Sequence, residues 1–172
     1  MKREHLPVMS REVIEVLAPV EGGMYVDATV GLGGHSEVIL DKIGQEGKIV
    51  GIDRDVNALA KTADRLSDRR LILKQGSFSD METILHSEGI AGADGVLLDL
   101  GVSMMQLKDP DRGFSFHSTE RLDMRMDSSQ EVSAWDVVNG YSERELVRIL
   151  REYGEEYRAM KIVRSIIQHR NK

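Results

Sequence analysis

Hydrophobic residues fall along this chain in two alternating rhythms. Short dense runs at 24–28, 48–52, 71–74 and 94–100, rich in Val, Ile and Leu, predict four strands. Between them, apolar positions spaced three and four apart predict helices over 36–43 and 56–66, the second capped by Asp55, and a third that opens at Asp80 and ends near Gly89. A further helix over 8–18, with Ser10 as its N-cap and Pro19 as its stop, precedes the first strand. Strand and helix in alternation predict an α/β fold. Its parallel sheet is wound by helices in the order 3-2-1-4 and receives ligands at the carboxyl ends of the strands.

Beyond Ser103 the rhythm stops. Residues 104–127 are rich in charge, punctuated by Pro110 and Gly113, and read as a long loop of the kind that carries function. Helical spacing resumes after Ser133 with Trp135, Val137 and Val138. Ser142 and Glu145 form a capping box that opens a helix reaching Tyr153, where Gly154 breaks it. The segment 157–167 supplies a last helix with Ile162, Val163, Ile166 and Ile167 on one side. The expected division is a Rossmann-like half-domain over 1–103 and a loop plus helical subdomain over 104–172.

The stretch Tyr25-Val-Asp-Ala-Thr-Val-Gly-Leu-Gly-Gly-His-Ser36 places a strand, a turn with glycines at 31, 33 and 34, and a helix in succession, and Asp53 ends the next strand. Glycines let backbone approach a ligand where a Cβ would collide, and the helix start presents unpaired amides. Asp53 stands where an acidic residue accepts hydrogen bonds from ribose hydroxyls. A dinucleotide fingerprint would want glycine at 36, where this chain has Ser36. Asp27 would set a carboxylate beside a pyrophosphate but suits a sulfonium and an ammonium, so the pattern leans to S-adenosylmethionine. Phe78, in the turn after the third strand, either stacks on adenine or belongs to the core.

Composition narrows the classes. Hydrophobic residues at 41% and charged residues at 30% are those of a globular protein. The absence of Cys excludes disulfides and thiolate metal sites, and no metal is expected. No apolar run approaches the length of a membrane span and no signal peptide opens the chain, so a cytoplasmic protein without a membrane partner is expected. The net charge of −6 argues against nucleic acid until its distribution is considered. The whole excess of acid lies in 1–103, and the segment from Arg158 onward carries Lys161, Arg164, Arg170 and Lys172 with no acidic residue. Such a face meets a phosphate backbone or is simply a solvated helix surface.

Beyond the glycine turn and Gly51-Ile-Asp-Arg-Asp55 come Gly76-Ser-Phe78, Asp94-Gly-Val-Leu-Leu-Asp-Leu-Gly-Val-Ser103, Arg112-Gly-Phe-Ser-Phe116, Leu122-Asp-Met-Arg-Met-Asp127 and Tyr153-Gly-Glu-Glu156. In this order the chain closely resembles the bacterial ribosomal RNA small subunit methyltransferase H family. The resemblance implies a Rossmann-like class I methyltransferase sheet with a helical insertion. It also implies an S-adenosylmethionine-dependent enzyme acting on N4 of a cytidine in the decoding region of 16S rRNA, naked or in the small ribosomal subunit. Carried over by identity, the cofactor positions are Gly33, Gly34, His35, Asp53, Phe78, Asp99 and Gln106. Asp99 or a backbone carbonyl of 99–103 would accept the N–H of the target amine; the alternative for Asp99 is cofactor contact only. Arg112, Arg121, Arg125, Arg158, Lys161 and Arg164 are RNA-contact candidates, each also able to pair with neighbouring acids.

Two departures accompany the resemblance. The family reads Ser-Ser-Pro-Gln where this chain has Ser103-Met-Met-Gln106, which frees the backbone before Gln106. The family's chains are also longer, so the sheet is expected to be partial and the protein to be either an enzyme or a truncated remnant that binds S-adenosylmethionine or RNA without turnover. A partial sheet leaves 95–100 as an apolar edge, which predicts cover by the chain's own helices, a homodimer or aggregation.

Overall fold

The computed structural model describes residues 7–170. The chain forms two compact units that divide between Gly101 and Val102.

In the first unit, α1 (Ser10–Leu17), β1 (Met24–Asp27), α2 (Gly34–Leu40), β2 (Lys48–Asp53), α3 (Val56–Leu66), β3 (Leu71–Gln75), α4 (Met81–Ser87) and β4 (Gly95–Leu97) follow one another. All strand pairs are parallel and the order is β3-β2-β1-β4, as the alternation predicts. The two-residue period of a strand sorts the core into two faces. Tyr25 and Ile49 meet Ile39, Leu40 and Ile43 of the α2 region, with Ile14, Leu17, Leu71 and Leu97 packed around them. Val26, Val50 and Ile52 meet Leu85, with Ile72, Met81 and Ile84 around them. Gly51 sits where a Cβ would come within 2.9 Å of Leu73 and Val30, so the middle of β2 has no room for a side chain.

Several element ends differ from expectation. Ser10 is the first helical residue of α1 and caps nothing; Met9 precedes it in a left-handed conformation. Asp80 likewise makes no side-chain cap, because a 3-10 turn, Phe78–Asp80, leads directly into α4. Asp55 does cap α3, accepting from the Asn57 amide. β4 stops at Leu97 instead of Leu100. Its partner β1 ends at Asp27, and after the bond from the Ala28 amide to the Leu97 carbonyl the chain of β1 swings into the glycine turn, leaving 98–100 without a ladder partner. Val96, Leu98 and Leu100 are exposed along this edge.

The second unit contains α5 (Met104–Lys108), a 3-10 turn (Pro110–Arg112), α6 (Ala134–Gly140), α7 (Glu143–Glu152) and α8 (Ala159–Arg170). The region read as loop therefore opens with a helix. Ser103 caps it reciprocally with Gln106, a capping box whose apolar continuation is too short to show helical periodicity. Ser133 with Asp136 and Ser142 with Glu145 repeat the device on α6 and α7. Leu146 and Val147 of α7 pack on Ala159 and Val163 of α8 to form the core of this unit. The Arg170 guanidinium donates to the carbonyls of Val138 and Tyr141, at 3.0 and 2.7 Å, tying the end of α8 to the end of α6.

The segment between Pro110 and Ser133 is ordered by its own hydrogen bonds. Arg112 donates to the carbonyls of Arg125 and Met126, at 2.8 and 3.0 Å, and the Met124 amide donates back to the Arg112 carbonyl. Gly113 has φ +66°, and a Cβ there would stand 2.5 Å from the Asp123 nitrogen and 2.9 Å from the Arg121 carbonyl. Arg112-Gly-Phe-Ser-Phe116 and Leu122-Asp-Met-Arg-Met-Asp127 are thus two sides of one folded segment. A Gly113→Ala variant combines left-handed strain of roughly 1–2 kcal/mol with a clash against backbone. Limited proteolysis is expected to open 110–127 in this variant well before the wild type; equal resistance would contradict the packing described.

Candidate active site

The carboxyl ends of the strands in the first unit gather most of the residues singled out from sequence. β1 runs out into the glycine turn, whose shape two side chains of α3 hold. The Thr62 hydroxyl donates to the Gly31 carbonyl at 2.7 Å, Arg65 donates to the Leu32 carbonyl at 2.9 Å, and Arg65 also pairs with Glu37 at 2.7 Å. Gly31 and Gly33 have φ of +51° and +74°, values that glycine adopts without strain. A Cβ on Gly33 would lie 2.7 and 2.8 Å from Leu66 and Thr62, so this glycine also lets α3 approach the turn.

Asp53 closes β2 and faces the turn. One carboxylate oxygen accepts from the Gly31 amide at 2.8 Å and the other from the Asp55 amide at 2.9 Å. A carboxylate offers about four lone-pair sites, so each oxygen retains capacity for one further donor. Two adjacent hydroxyls are the natural match.

Asp27 is 1% exposed. Its carboxylate accepts from the Ser36 hydroxyl at 2.7 Å and from the Thr29 amide at 3.4 Å, joining the end of β1 to the first turn of α2 across the glycines. Burial pushes its pKa up, opposed by those hydrogen bonds and by the neighbouring His35. Asp27 therefore acts as an internal strut of the turn, and Ser36, which breaks the dinucleotide fingerprint, is the other end of that strut.

His35 and Asp99, 64 positions apart in sequence, come together: His35 Nε2 lies 3.6 Å from an Asp99 carboxylate oxygen. His35 is buried and its Nδ1 has no hydrogen-bond partner among the described residues, while the Asp99 side chain is 59% exposed. The backbone of Asp99 is fixed by its amide donating to Thr29 Oγ1 at 2.7 Å. Sequence reading missed Thr29; its only signal is its place between Asp27 and the first glycine. Phe78 is 44% exposed and does not belong to the core. The Arg54 guanidinium sits 5.9 Å from its ring centre and donates to Ser77 at 2.7 Å.

Gln106 belongs to the second unit. It is buried, and its side-chain oxygen accepts from the Ser103 amide at 2.9 Å while its own amide donates to the Ser103 hydroxyl. The capping box therefore fixes its backbone despite the missing proline. The RNA-contact candidates divide sharply. Arg112 is taken up by the carbonyls already described. Arg125 chelates Asp123 at 2.6 Å, which holds the Asp123 carboxyl below its ordinary pKa. Arg121 lies 4.0 Å over the Trp135 ring and pairs with Asp136 at 3.2 Å. Arg158, Lys161 and Arg164 are exposed. Among the described residues no group of His, Asp and Glu is placed to hold a metal ion, and no helix is long and apolar enough to cross a membrane.

Comparison with known proteins adds the decisive observation, because the profile of the MraW methylase family matches residues 2–172. The chain belongs to the MraW methylase family. The ribosomal RNA small subunit methyltransferase H of Trichlorobacter lovleyi is 51% identical over 168 residues, covering 96% of this chain and 54% of that protein. Those of Persephonella marina and Caldicellulosiruptor saccharolyticus are 48% and 45% identical, over 98% and 97% of this chain and 58% and 55% of theirs. The chain spans a little over half the length of these MraW-family relatives.

The buried Asp27 gives a signed test. Its raised pKa means that the folded state holds this proton more tightly than the unfolded chain, so ionisation costs stability. That contribution is intact below the ordinary carboxylate range and is lost as pH rises through the raised folded value. Asp27→Asn removes the titration. In urea unfolding from about pH 4 to neutrality, the stability of Asp27→Asn relative to wild type is expected to rise with pH; a constant difference would contradict the assignment.

Proposed function

We propose that this protein takes part in S-adenosylmethionine-dependent methylation of small-subunit ribosomal RNA, at N4 of a cytidine in the decoding region of 16S rRNA. One observation carries the reading beyond family membership: the strand ends bring Asp53, His35 and Asp99 around one glycine turn, although 18 to 64 positions separate them in sequence.

The residues present fit the cofactor. Asp53 keeps acceptor capacity on both oxygens for a ribose diol, Phe78 offers an exposed ring to adenine, and Gly33, Gly34 and His35 form the turn that would face the methionine portion. The buried His35 Nδ1, without a hydrogen-bond partner among the described residues, is a polar atom that a ligand group would satisfy. When bound, S-adenosylmethionine supplies an electrophilic methyl group on a cationic sulfur.

The chain's own task is alignment and proton handling. The exocyclic amine of cytosine is a weak nucleophile because its lone pair is delocalised into the ring. Asp99, exposed and with its backbone anchored to Thr29, is assigned to accept an N–H of that amine, raising its electron density and receiving a proton after methyl transfer. His35 stands beside the Asp99 carboxylate and orients it. A target base reaches such a crevice unstacked.

Isothermal titration with S-adenosylmethionine and with NAD, followed by methyl transfer from labelled cofactor to unmodified small-subunit RNA, tests the reading. Binding of S-adenosylmethionine in preference to NAD, weakened about tenfold or more by Asp53→Ala as a lost charge-assisted contact requires, together with transfer is the expected result. Binding without transfer would select a non-catalytic role, and preference for NAD would overturn the cofactor.

A further inference from the structure

The six cationic candidates of the second unit are not equivalent, and their difference points to one surface. Arg112, Arg121 and Arg125 have their guanidinium groups committed to carbonyls, to Asp136 and to Asp123. For Arg121 and Arg125 the neighbouring carboxylate cancels much of the field a phosphate would feel, and Arg112 is half-buried with donors on backbone carbonyls. Arg158, Lys161 and Arg164 are different: from Arg158 to Arg170 the chain has no acidic residue.

Helix α8 holds these cations on a rigid support. Ala159, Val163, Ile166 and Ile167 recur at the spacing of one helical face and pack on α7 and α6, and Arg170 clamps the far end. Lys161, Arg164 and Gln168 recur at i, i+3 and i+7, a different face, and all three are exposed. Arg158 stands just before the helix, so the cations from 158 to 164 cover about 9 Å of axis. Tyr157, immediately before them, is 96% exposed, an unusual setting for so large a ring. The nearest acids in sequence are Glu155 and Glu156, and Glu156 is engaged by the Arg158 amide.

We infer that the outer face of α8 is a contact surface for single-stranded RNA, with Arg158, Lys161 and Arg164 on the phosphates and Tyr157 as a stacking platform for one base. The inference rests on the proposed RNA substrate and names the surface that grips it. An acidic protein segment would satisfy the cations equally well. The unburied tyrosine ring favours RNA, because bases stack on aromatic faces while carboxylates do not.

The test is fluorescence anisotropy of the full chain with a labelled single-stranded oligoribonucleotide across a salt series. Lys161→Gln with Arg164→Gln is expected to weaken binding about tenfold at low salt and to reduce the salt slope by about 1.4, the value for two lost phosphate contacts on a single strand. Lys161→Arg with Arg164→Lys keeps the slope. Tyr157→Ala weakens binding roughly fivefold or more with the slope unchanged, as loss of stacking requires. Arg144→Gln with Arg148→Gln, the same charge change on α7, has a smaller effect.

Wild-type affinity and slope in the α8 double variant, a loss no greater than that of the α7 control, or tighter binding of polyglutamate than of RNA would each overturn the inference. An unaffected Tyr157→Ala would overturn its stacking part. Titration of the same preparation with S-adenosylmethionine separates the two levels: cofactor binding alongside indifferent α8 variants removes this surface alone.

Discussion

The hydrogen bond from the Gly31 amide to the Asp53 carboxylate is the constraint on which the site depends. Beyond Val30, whose amide still donates to the Ile52 carbonyl, the chain leaving β1 turns away from the sheet and its backbone groups find partners in side chains. Asp53 supplies one from the end of β2, Thr62 and Arg65 supply others from α3, and Thr29 supplies one to the departing end of β4. The turn is thereby fixed between three elements before any ligand arrives. Preorganisation of this kind lowers the ordering cost of binding and sets donors and acceptors where a ligand must meet them.

Asp27 shows a different use of a carboxylate only four positions before Gly31 of the same turn. Both acids end parallel strands, yet one is buried and spent on Ser36 while the other keeps unused lone pairs. Sequence could place both at strand ends but could not tell strut from ligand, because that difference lies in burial. The leaning toward S-adenosylmethionine drew on Asp27 as a partner for positive charge; in the structure that carboxylate faces inward, while Asp53 is half-buried with spare acceptor capacity and Asp99 is exposed.

Most of the fold was legible because its elements are periodic: the order of the sheet and the capping box of α7 both follow from spacing. The failures are local. Ser10 and Asp80 carry the right side chains for caps, but the backbone before each already turns and leaves no cap to make. Helix α5 was hidden in a charged segment because one turn and a half is too short for a hydrophobic period. The arginines of 112–125 and their acidic neighbours lie close in sequence, and only geometry decides which pairs form. Arg112 in particular is the bridge that makes two separate motifs one structural piece, which no pairwise spacing announces.

The central claim is that the termini of β1, β2 and β4 form a ready-made seat for an adenosine-bearing sulfonium donor. The most direct measurement is a crystal structure of the protein with S-adenosylhomocysteine. The account predicts both ribose hydroxyls on Asp53 and the amino-acid end against the turn from Gly33 to His35; ligand density lying elsewhere, with Asp53 still bonded only to Gly31 and Asp55, would contradict it.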